Sequence, residues 1–197
     1  MRIMPIAFYL EGMYPNSWDW LLTDHTSDII HKVSDCTHAS RSCEIACGIY
    51  CSVIFNLCRL CRSDSLAGAV SAGLNEALIY YRDHPDYMDL YDKIAPLEDI
   101  AAKPEDEIRS GGYVFDTLQA AIWCLLHTRS YSDCVLKAVN LGWDTDTTAA
   151  VAGALAGMWY GVHRIPEEWI QTLAKHDEIK ELSQRFAFAC IDAANRS

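Results

Sequence analysis

Apolar residues recur along most of the chain with the spacing of an α-helix. Ile45, Ile49, Val53 and Leu57 stand four residues apart, which places them on one face of a helix with a 3.6-residue repeat. Similar spacing predicts helices over residues 42–62, 65–82, 113–127, 131–140, 147–161, 166–174 and 179–194. Alternating Val, Ile and Thr runs bounded by turn residues, which would predict strands, are absent from the sequence. The pattern therefore predicts an all-α protein, built as a compact multi-helix bundle.

The stretch of residues 83–112 interrupts this pattern. It combines Pro85, Pro96 and Pro104 with mixed charges, and it ends in a Gly-Gly pair. We predict a short helix over residues 104–109 between two long loops. The sequence contains no tandem repeat and no flexible interdomain linker, so residues 1–197 are expected to form a single domain.

Composition and charge narrow the class of protein. Hydrophobic residues make up 51% of the 197 residues, which is enough to bury one substantial core. The formal net charge of −11 predicts neither a nucleic-acid partner nor a membrane partner, because both attract clusters of Lys and Arg. Residues 1–10 do not resemble a signal peptide, and nine cysteines cannot all pair within the chain. We therefore expect a cytoplasmic protein with reduced thiols.

The most distinctive polar segment lies between Asn140 and Thr147. It places Asp144 and Asp146 one residue apart, with the hydroxyl of Thr147 beside them and Gly142 before them. Carboxylate and hydroxyl oxygens suit Mg²⁺, Mn²⁺ or Ca²⁺ better than zinc, for which His or Cys ligands are expected. Because glycine lets the backbone turn sharply, both aspartates can reach one point. The segment predicts a candidate divalent-cation site.

A simpler interpretation of the same residues is a helix cap. Asp144, Thr145 or Asp146 can cap the helix that follows and interact with the positive end of its dipole, which contributes about 1 kcal/mol. The spacing alone leaves the cap and the metal site both open.

The predicted helix after this segment is rich in small residues. Gly153, Gly157 and Gly161 follow one another at intervals of four, so they share one stripe of the helix. Glycine inside a helix costs about 1 kcal/mol relative to alanine, which indicates a packing demand. We expect another helix to approach closely along this stripe, and the glycine-rich helix itself to be central and buried.

Several segments, in order along the chain, resemble the ADP-ribosylglycohydrolase family, of the dinitrogenase reductase-activating glycohydrolase type. Residues 142–161 match its Gly-x-Asp-x-Asp-Thr turn and the Ala/Gly-rich helix that ends in Tyr-Gly. Residues 112–123, the pair Thr37-His38 and the Met-Arg-x-x-Pro pattern of residues 1–5 are the other similar segments. The family's upstream Thr-Asp-Asp metal motif and Gly-Asn-Gly-type loop are absent from this sequence. We therefore expect the carboxy-terminal portion of that fold, truncated at its amino terminus.

The resemblance implies a metal-dependent hydrolase that cleaves the glycosidic bond between ADP-ribose and a protein side chain or a small molecule. Asp144, Asp146 and Thr147 would supply one side of a two-Mg²⁺ centre, with Mn²⁺ as an alternative ion, and the two aspartates are the candidate catalytic residues. The metals would orient the ribose hydroxyls and a water molecule. The other half of the site would come from upstream sequence or from a second chain, in a homo-oligomer or with a partner chain.

The candidate substrate-binding residues are His38, Gly112 and Tyr113. The resemblance places His38 close to the nucleotide, whereas an isolated histidine is more often a cap or a partly exposed residue. Residues 110–113 can wrap backbone amides around a diphosphate or form an ordinary loop, and the ring of Tyr113 can stack on a base or pack in the core. Trp143 stands where family members often have a small residue, so we expect it to reshape the mouth of the pocket.

The cysteines allow a further interpretation as a zinc site. Cys58 and Cys61 form one C-x-x-C pair, whereas a structural zinc site usually takes two such pairs. Cys43, Cys47 and Cys51 stand at helical spacing, which is typical of small core residues. Core packing is the prediction, and a thiol-rich zinc protein is the weaker alternative.

Two hypotheses about function, from different classes, remain. The first is a Mg²⁺-dependent ADP-ribosyl glycohydrolase. The second is a non-catalytic ADP-ribose-binding or structural protein that keeps the fold with an incomplete metal site. A reading frame that continues upstream into Thr-Asp-Asp would favour the enzyme.

Overall fold

A computed structural model describes residues 2–13, 21–61, 64–84, 86–87, 93 and 96–196 of the chain. The regular elements in these residues are all helical, as the sequence pattern predicts, and these residues form no strand. The α-helices are, in chain order, α1 (Met4–Met13), α2 (Asp24–Asp35), α3 (Arg41–Leu60), α4 (Leu66–Arg82), α5 (Leu97–Ala102), α6 (Val114–Leu126), α7 (Tyr131–Asn140), α8 (Thr145–Tyr160), α9 (Glu167–Thr172) and α10 (His176–Ala194). Short 3-10 turns occupy Glu105–Glu107 and Val162–Arg164.

Most predicted helices are confirmed, with small shifts at their ends. The bounds of α7 are those predicted, whereas α8 begins at Thr145 instead of residue 147. The prediction over residues 104–109 is wrong in type, because only the 3-10 turn Glu105–Glu107 forms there. The sequence pattern does not predict α1, α2 or α5. Parts of the sequence predictions fall outside the described residues, at Met1, Arg62, Pro85 and Ser197.

The core is built around α3. Twelve of its residues are buried, and it contacts α1, α2, α4, α6 and α8. By length and composition it is the one helix among the described residues that could cross a membrane, yet 72% of its most apolar window is buried inside the protein. Such burial is typical of a central core helix.

Glycines allow α3 and α4 to approach closely. A Cβ atom added at Gly73 would lie 2.6 Å from the Cα of Val53, and one added at Gly48 would overlap the hydroxyl of Tyr81. Tyr81 is fully buried, and a closely packed interior gives neither its ring nor the backbone room to move aside. Both positions therefore require glycine.

A buried carboxylate joins the chain before α2 to α3 and α4. Glu76 accepts hydrogen bonds from the amide of Leu22 at 2.7 Å, the hydroxyl of Ser52 at 2.8 Å and the side-chain amide of Asn56 at 2.9 Å. Burial raises the pKa of Glu76, and these donors oppose the shift. The donors compensate much of the desolvation that a buried carboxylate would otherwise suffer.

A second polar network passes through His31 on α2. Its Nε2 lies 2.9 Å from the hydroxyl of Tyr81, and its Nδ1 lies 3.0 Å from the hydroxyl of Tyr87. Tyr87 in turn donates to the carboxylate of Glu44 at 3.1 Å. A neutral His31 therefore donates to Tyr87 through Nδ1 and accepts from Tyr81 through Nε2. Burial lowers the pKa of His31, while the carboxylates of Asp35 and Asp28 oppose this shift.

The glycine stripe of α8 faces α7, as the sequence predicts for two of its three members. A Cβ atom added at Gly153 would lie 3.3 Å from Cγ2 of Val135, and one added at Gly157 would lie 3.8 Å from the ring of Tyr131. The prediction is wrong for Gly161, which has open space around it and a φ of +84°. Gly161 ends α8 instead of packing against α7, because its positive φ takes the chain out of the helix.

Helix α10 lies outside the core and packs mainly on α1. A Cβ atom added at Gly12 would lie 2.6 Å from the carbonyl oxygen of Cys190, so the two helices approach closely there. Leu182, Phe188 and Ile191 of α10 are exposed. The end of the fold that carries the acidic segment is formed by other helices, α6, α7 and α8.

Candidate functional site

The acidic residues lie where the chain turns from α7 into α8. Gly142 and Trp143 adopt positive φ angles of 85° and 59°. Glycine enters this left-handed region without strain, whereas a bulky side chain there is a rare and strained choice. These two residues reverse the chain and place Asp144 at the amino end of α8.

Ser110, in the segment before α6, holds this turn from both sides. Its carbonyl oxygen accepts a hydrogen bond of 3.1 Å from the amide of Asp144. Its hydroxyl donates a hydrogen bond of 2.9 Å to the carbonyl oxygen of Gly142. Ser110 is fully buried, so its position is fixed by the packing around it. The sequence interpretation groups Ser110 with the glycines that follow and misses this role, because no local pattern relates two segments so far apart.

The side chains of Asp144 and Asp146 have no hydrogen bond or ion pair to any residue that the structure describes. Asp144 occupies the N-cap position of α8, but its carboxylate does not cap the helix. Its backbone carbonyl accepts hydrogen bonds from the amide and the hydroxyl of Thr148 instead. The capping interpretation is therefore wrong for Asp144, and Thr145 and Asp146 lie inside the helix, beyond the cap position. The other part of that interpretation holds for Asp146, which lies in the first turn of α8, at the positive end of the helix dipole.

The predicted ligand set is thus available to an external partner. Asp144 and Thr147 are half-buried and Asp146 is exposed. Together they offer two carboxylates and one hydroxyl, which is the oxygen chemistry that Mg²⁺ and Mn²⁺ prefer. No group of three or more His, Cys, Asp or Glu side chains that could hold a metal occurs in the described part of the chain. Asp144, Asp146 and Thr147 stay the candidate ligands of the predicted metal site.

The two glycines after Ser110 lie beside this acidic turn. A Cβ atom added at Gly112 would meet only Oδ2 of Asp144, at 3.9 Å, and one added at Gly111 would meet nothing within 4 Å. Neither residue has a positive φ. The fold itself therefore does not require glycine at either position, and the backbone there is open to a partner that approaches the acidic turn.

The other two predicted substrate residues occupy different positions. Tyr113 precedes α6 with its ring 44% exposed and tilted against Phe115, at a centroid distance of 5.8 Å. It therefore does not pack in the core. His38 is exposed in the connection between α2 and α3, and its amide donates to the carbonyl of Ser34. Among the described residues, no hydrogen bond joins His38 to the acidic turn.

The cysteine-rich segment lies only partly in the core, since its outermost members Cys36 and Cys61 are exposed. Cys51 is fully buried in α3, and Cys47 is half-buried. Cys58 lies 3.9 Å from the carboxylate of Glu11, and burial, followed by the charge of Glu11, raises the pKa of its thiol to about 11. A thiol that resists deprotonation is a poor metal ligand and a poor nucleophile. The geometry favours the packing interpretation over the zinc alternative.

The sequence profile of the ADP-ribosylglycohydrolase family matches residues 1–195. The chain belongs to the ADP-ribosylglycohydrolase family. The match runs through every segment that carries the resemblance described above, including the acidic turn. It accounts for the all-α architecture and for the glycine-striped helix behind the turn.

Relatives in the family include hydrolases from bacteria and vertebrates. The ADP-ribosylarginine hydrolase Tri1 of Serratia proteamaculans is 43% identical over 86 residues, which are 44% of this chain and 24% of that protein. The ADP-ribosyl-[dinitrogen reductase] glycohydrolase of Rhodospirillum rubrum is 42% identical over 65 residues, covering 33% of this chain and 22% of that protein. The ADP-ribosylhydrolase ARH3 of Homo sapiens is 29% identical over 136 residues, covering 61% of this chain and 37% of that protein.

A solved structure described as an ADP-ribosylglycohydrolase-related protein complex has a similar fold. It superposes with a TM-score of 0.65 at 25% identity and covers 94% of this chain but 57% of that chain. The present chain therefore spans less than two thirds of the length of these related proteins.

Proposed function

We propose that this chain supplies the Asp144 and Asp146 side of a divalent-cation site in an ADP-ribosyl glycohydrolase. One observation carries the proposal. In a chain of this family, two carboxylates stand at the start of α8 without any partner among the described residues, and neither is used as a helix cap. Acidic side chains without a partner in the protein are suited to bind a cation.

The residues present fit Mg²⁺, with Mn²⁺ as the alternative. Asp144 and Asp146 would hold the ion, and Thr147 would add a hydroxyl ligand. A bound divalent ion supplies charge stabilisation as the anomeric bond breaks, and it orients the ribose hydroxyls. Ser110 fixes the direction of the turn, and Gly112 leaves the backbone beside Asp144 open to the ligand.

The proposed substrate is ADP-ribose linked to arginine. The Tri1 proteins of Serratia proteamaculans and Pseudomonas putida, at 43% and 46% identity over their matched segments, are both ADP-ribosylarginine hydrolases. The matched segments are less than half of this chain and less than a quarter of each relative's length. Hydrolysis would release ADP-ribose and restore the guanidinium group.

Calorimetric titration with Mg²⁺ tests the metal assignment. The variant Asp146→Asn removes one ligand charge at constant size, so Mg²⁺ affinity should fall at least tenfold. The matched control is Asp133→Asn, in the first turn of α7, which changes a similar interaction with a helix dipole and should leave Mg²⁺ affinity unchanged. Equal affinity in the wild type and in Asp146→Asn would refute the assignment.

A second candidate function, ADP-ribose binding without hydrolysis, is favoured by one observation. The described residues contain no complete metal-ligand group, whereas hydrolysis in this proposal needs a filled metal site. An assay of turnover separates the two functions. ADP-ribosylarginine is incubated with the protein in Mg²⁺, and chromatography measures the arginine released. Turnover supports the hydrolase, and binding of ADP-ribose without turnover supports the second candidate.

A further inference from the structure

Trp143 is in a position that the fold does not explain. Its side chain is 89% exposed, more than any other large hydrophobic side chain among the described residues. Its φ of 59° lies in the left-handed region, where glycine or asparagine would be less strained. A tryptophan here therefore combines strained backbone with an exposed indole ring, and neither feature helps the chain to fold.

The position of this tryptophan is nevertheless fixed by its neighbours. Ser110 binds the carbonyl of Gly142 on one side and the amide of Asp144 on the other. Backbone strain persists only where the surroundings over-determine the conformation, and it concentrates where ligands are held. The backbone of Trp143 thus lies in a fixed turn, directly before the proposed metal ligand Asp144 in the chain.

The indole ring has no aromatic or cationic partner within the described residues. In the part of the chain that the structure describes, Arg59 and Lys137 stack on other rings, those of Phe55 and Trp123. The π face of Trp143 is therefore available to an external planar group. Indole is the best side chain for stacking a cation, and guanidinium is the commonest cation in such pairs.

We propose that Trp143 determines the specificity of this site by stacking on the guanidinium plane of ADP-ribosylated arginine. This inference rests on the proposed function. A neutral adenine ring can also stack on indole, but the guanidinium group is bonded to the ribose that the proposed metal ion would orient beside Asp144, whereas adenine lies at the other end of ADP-ribose, beyond the diphosphate. The contact would select arginine adducts over adducts whose linkage group has no planar cation.

Binding measurements with two ligands test this assignment. The probes are ADP-ribose and a hydrolysis-resistant carbocyclic analogue of ADP-ribosylarginine, each titrated by calorimetry in Mg²⁺. In Trp143→Gly the affinity for the analogue should fall about two- to fivefold relative to the wild type, the range for an exposed cation–π contact. The affinity for ADP-ribose should not change. Trp143→Phe keeps an aromatic face and should retain most of the preference for the analogue.

Each of the other results would overturn the inference. An equal loss for both ligands in Trp143→Gly would place the indole ring on ADP-ribose itself, and no change for either ligand would remove any role in binding. If the wild type binds neither ligand, the proposed function fails together with the inference. If the wild type binds ADP-ribose but shows no preference for the analogue, the arginine stacking alone fails.

Discussion

The hydroxyl of Ser110 donates a hydrogen bond to the carbonyl oxygen of Gly142, although 32 residues separate the two along the chain. The amide of Asp144 also donates a hydrogen bond to the carbonyl of Ser110. These two bonds join the loop before α6 and the turn before α8 into one structural unit. The proposed metal ligands and the open glycine backbone belong to that unit. A substitution in the loop before α6 should therefore alter the position of the turn before α8.

Removal of the Ser110 hydroxyl tests this coupling. Ser110→Ala should lower the free energy of unfolding by about 1 kcal/mol, because a hydrogen bond at a buried position is lost. Since the turn is then held less firmly, Mg²⁺ affinity should fall as well. Urea unfolding and calorimetric titration measure the two effects.

The matched control for this variant is Ser65→Ala. Ser65 caps α4 through a bond to the amide of Gly68, so its loss should also lower the free energy of unfolding by about 1 kcal/mol. Mg²⁺ affinity should remain that of the wild type. If both serine variants weaken Mg²⁺ binding to the same extent, global destabilisation explains the effect and the coupling is wrong.

A comparison of two glycines separates function from folding. In Gly112→Ala the added methyl group meets only Oδ2 of Asp144, at 3.9 Å, so stability should be unchanged or slightly raised. In Gly73→Ala the methyl group would lie 2.6 Å from the Cα of Val53, so the free energy of unfolding should fall by about 1–3 kcal/mol through overpacking. Thermal unfolding measures both.

Ligand binding should respond differently from stability, because Gly112 lies beside the proposed site. Gly112→Ala narrows the backbone surface beside Asp144, and its affinity for ADP-ribose should fall even though the fold is intact. A folded Gly112→Ala protein with wild-type affinity would show that this backbone does not contact the ligand.

The network around His31 predicts a pH dependence of stability. Burial lowers the pKa of His31 in the folded state below its ordinary value of 6.5, so the unfolded chain binds the proton more readily. Neutral His31 therefore contributes fully to the free energy of unfolding well above pH 6.5. This contribution is lost as the pH falls through 6.5 and then through the folded-state pKa of His31. The groups that face His31 are Tyr81, Tyr87, Asp35, Asp28 and His84.

Urea unfolding at pH 7.5 and pH 5.5 checks this expectation. The wild type should lose more stability between the two pH values than His31→Gln, in which this side chain cannot take up the proton. The exposed residue His163 provides a control, and His163→Gln should keep the wild-type difference. An identical loss in the wild type and in His31→Gln would mean that protonation of His31 does not oppose folding.

Helix positions could be predicted wherever apolar spacing is regular and the ends carry clear breakers. The helix Tyr131–Asn140 has the predicted bounds, because Ser130 caps its start and Gly142 follows its end. Helix α5 escapes prediction because it has only six residues, from Leu97 to Ala102, too few for a periodic pattern. Helix α2 has a capping box at Thr23 and Thr26, a signal that could have located its start.

The residue types of the site are predictable from the sequence, whereas its backbone conformation and tertiary contacts are not. Spacing picks out Asp144 and Asp146, and the family resemblance adds Gly112, which the structure places beside Asp144. The conformation of Trp143 is not predictable from sequence, because bulky residues rarely adopt a positive φ. The position of Ser110 depends on tertiary packing between segments 32 residues apart, which no local rule captures. Gly161 illustrates the opposite error, since a residue at the right spacing for packing terminates the helix.

Anomalous diffraction from crystals soaked with Mn²⁺ and ADP-ribose shows whether the carboxylates of Asp144 and Asp146 share a divalent cation. We expect one anomalous peak within about 2.5 Å of carboxylate oxygens from both aspartates, the distance range of such bonds. Crystals in which both carboxylates point into solvent, with no peak between them, would contradict it.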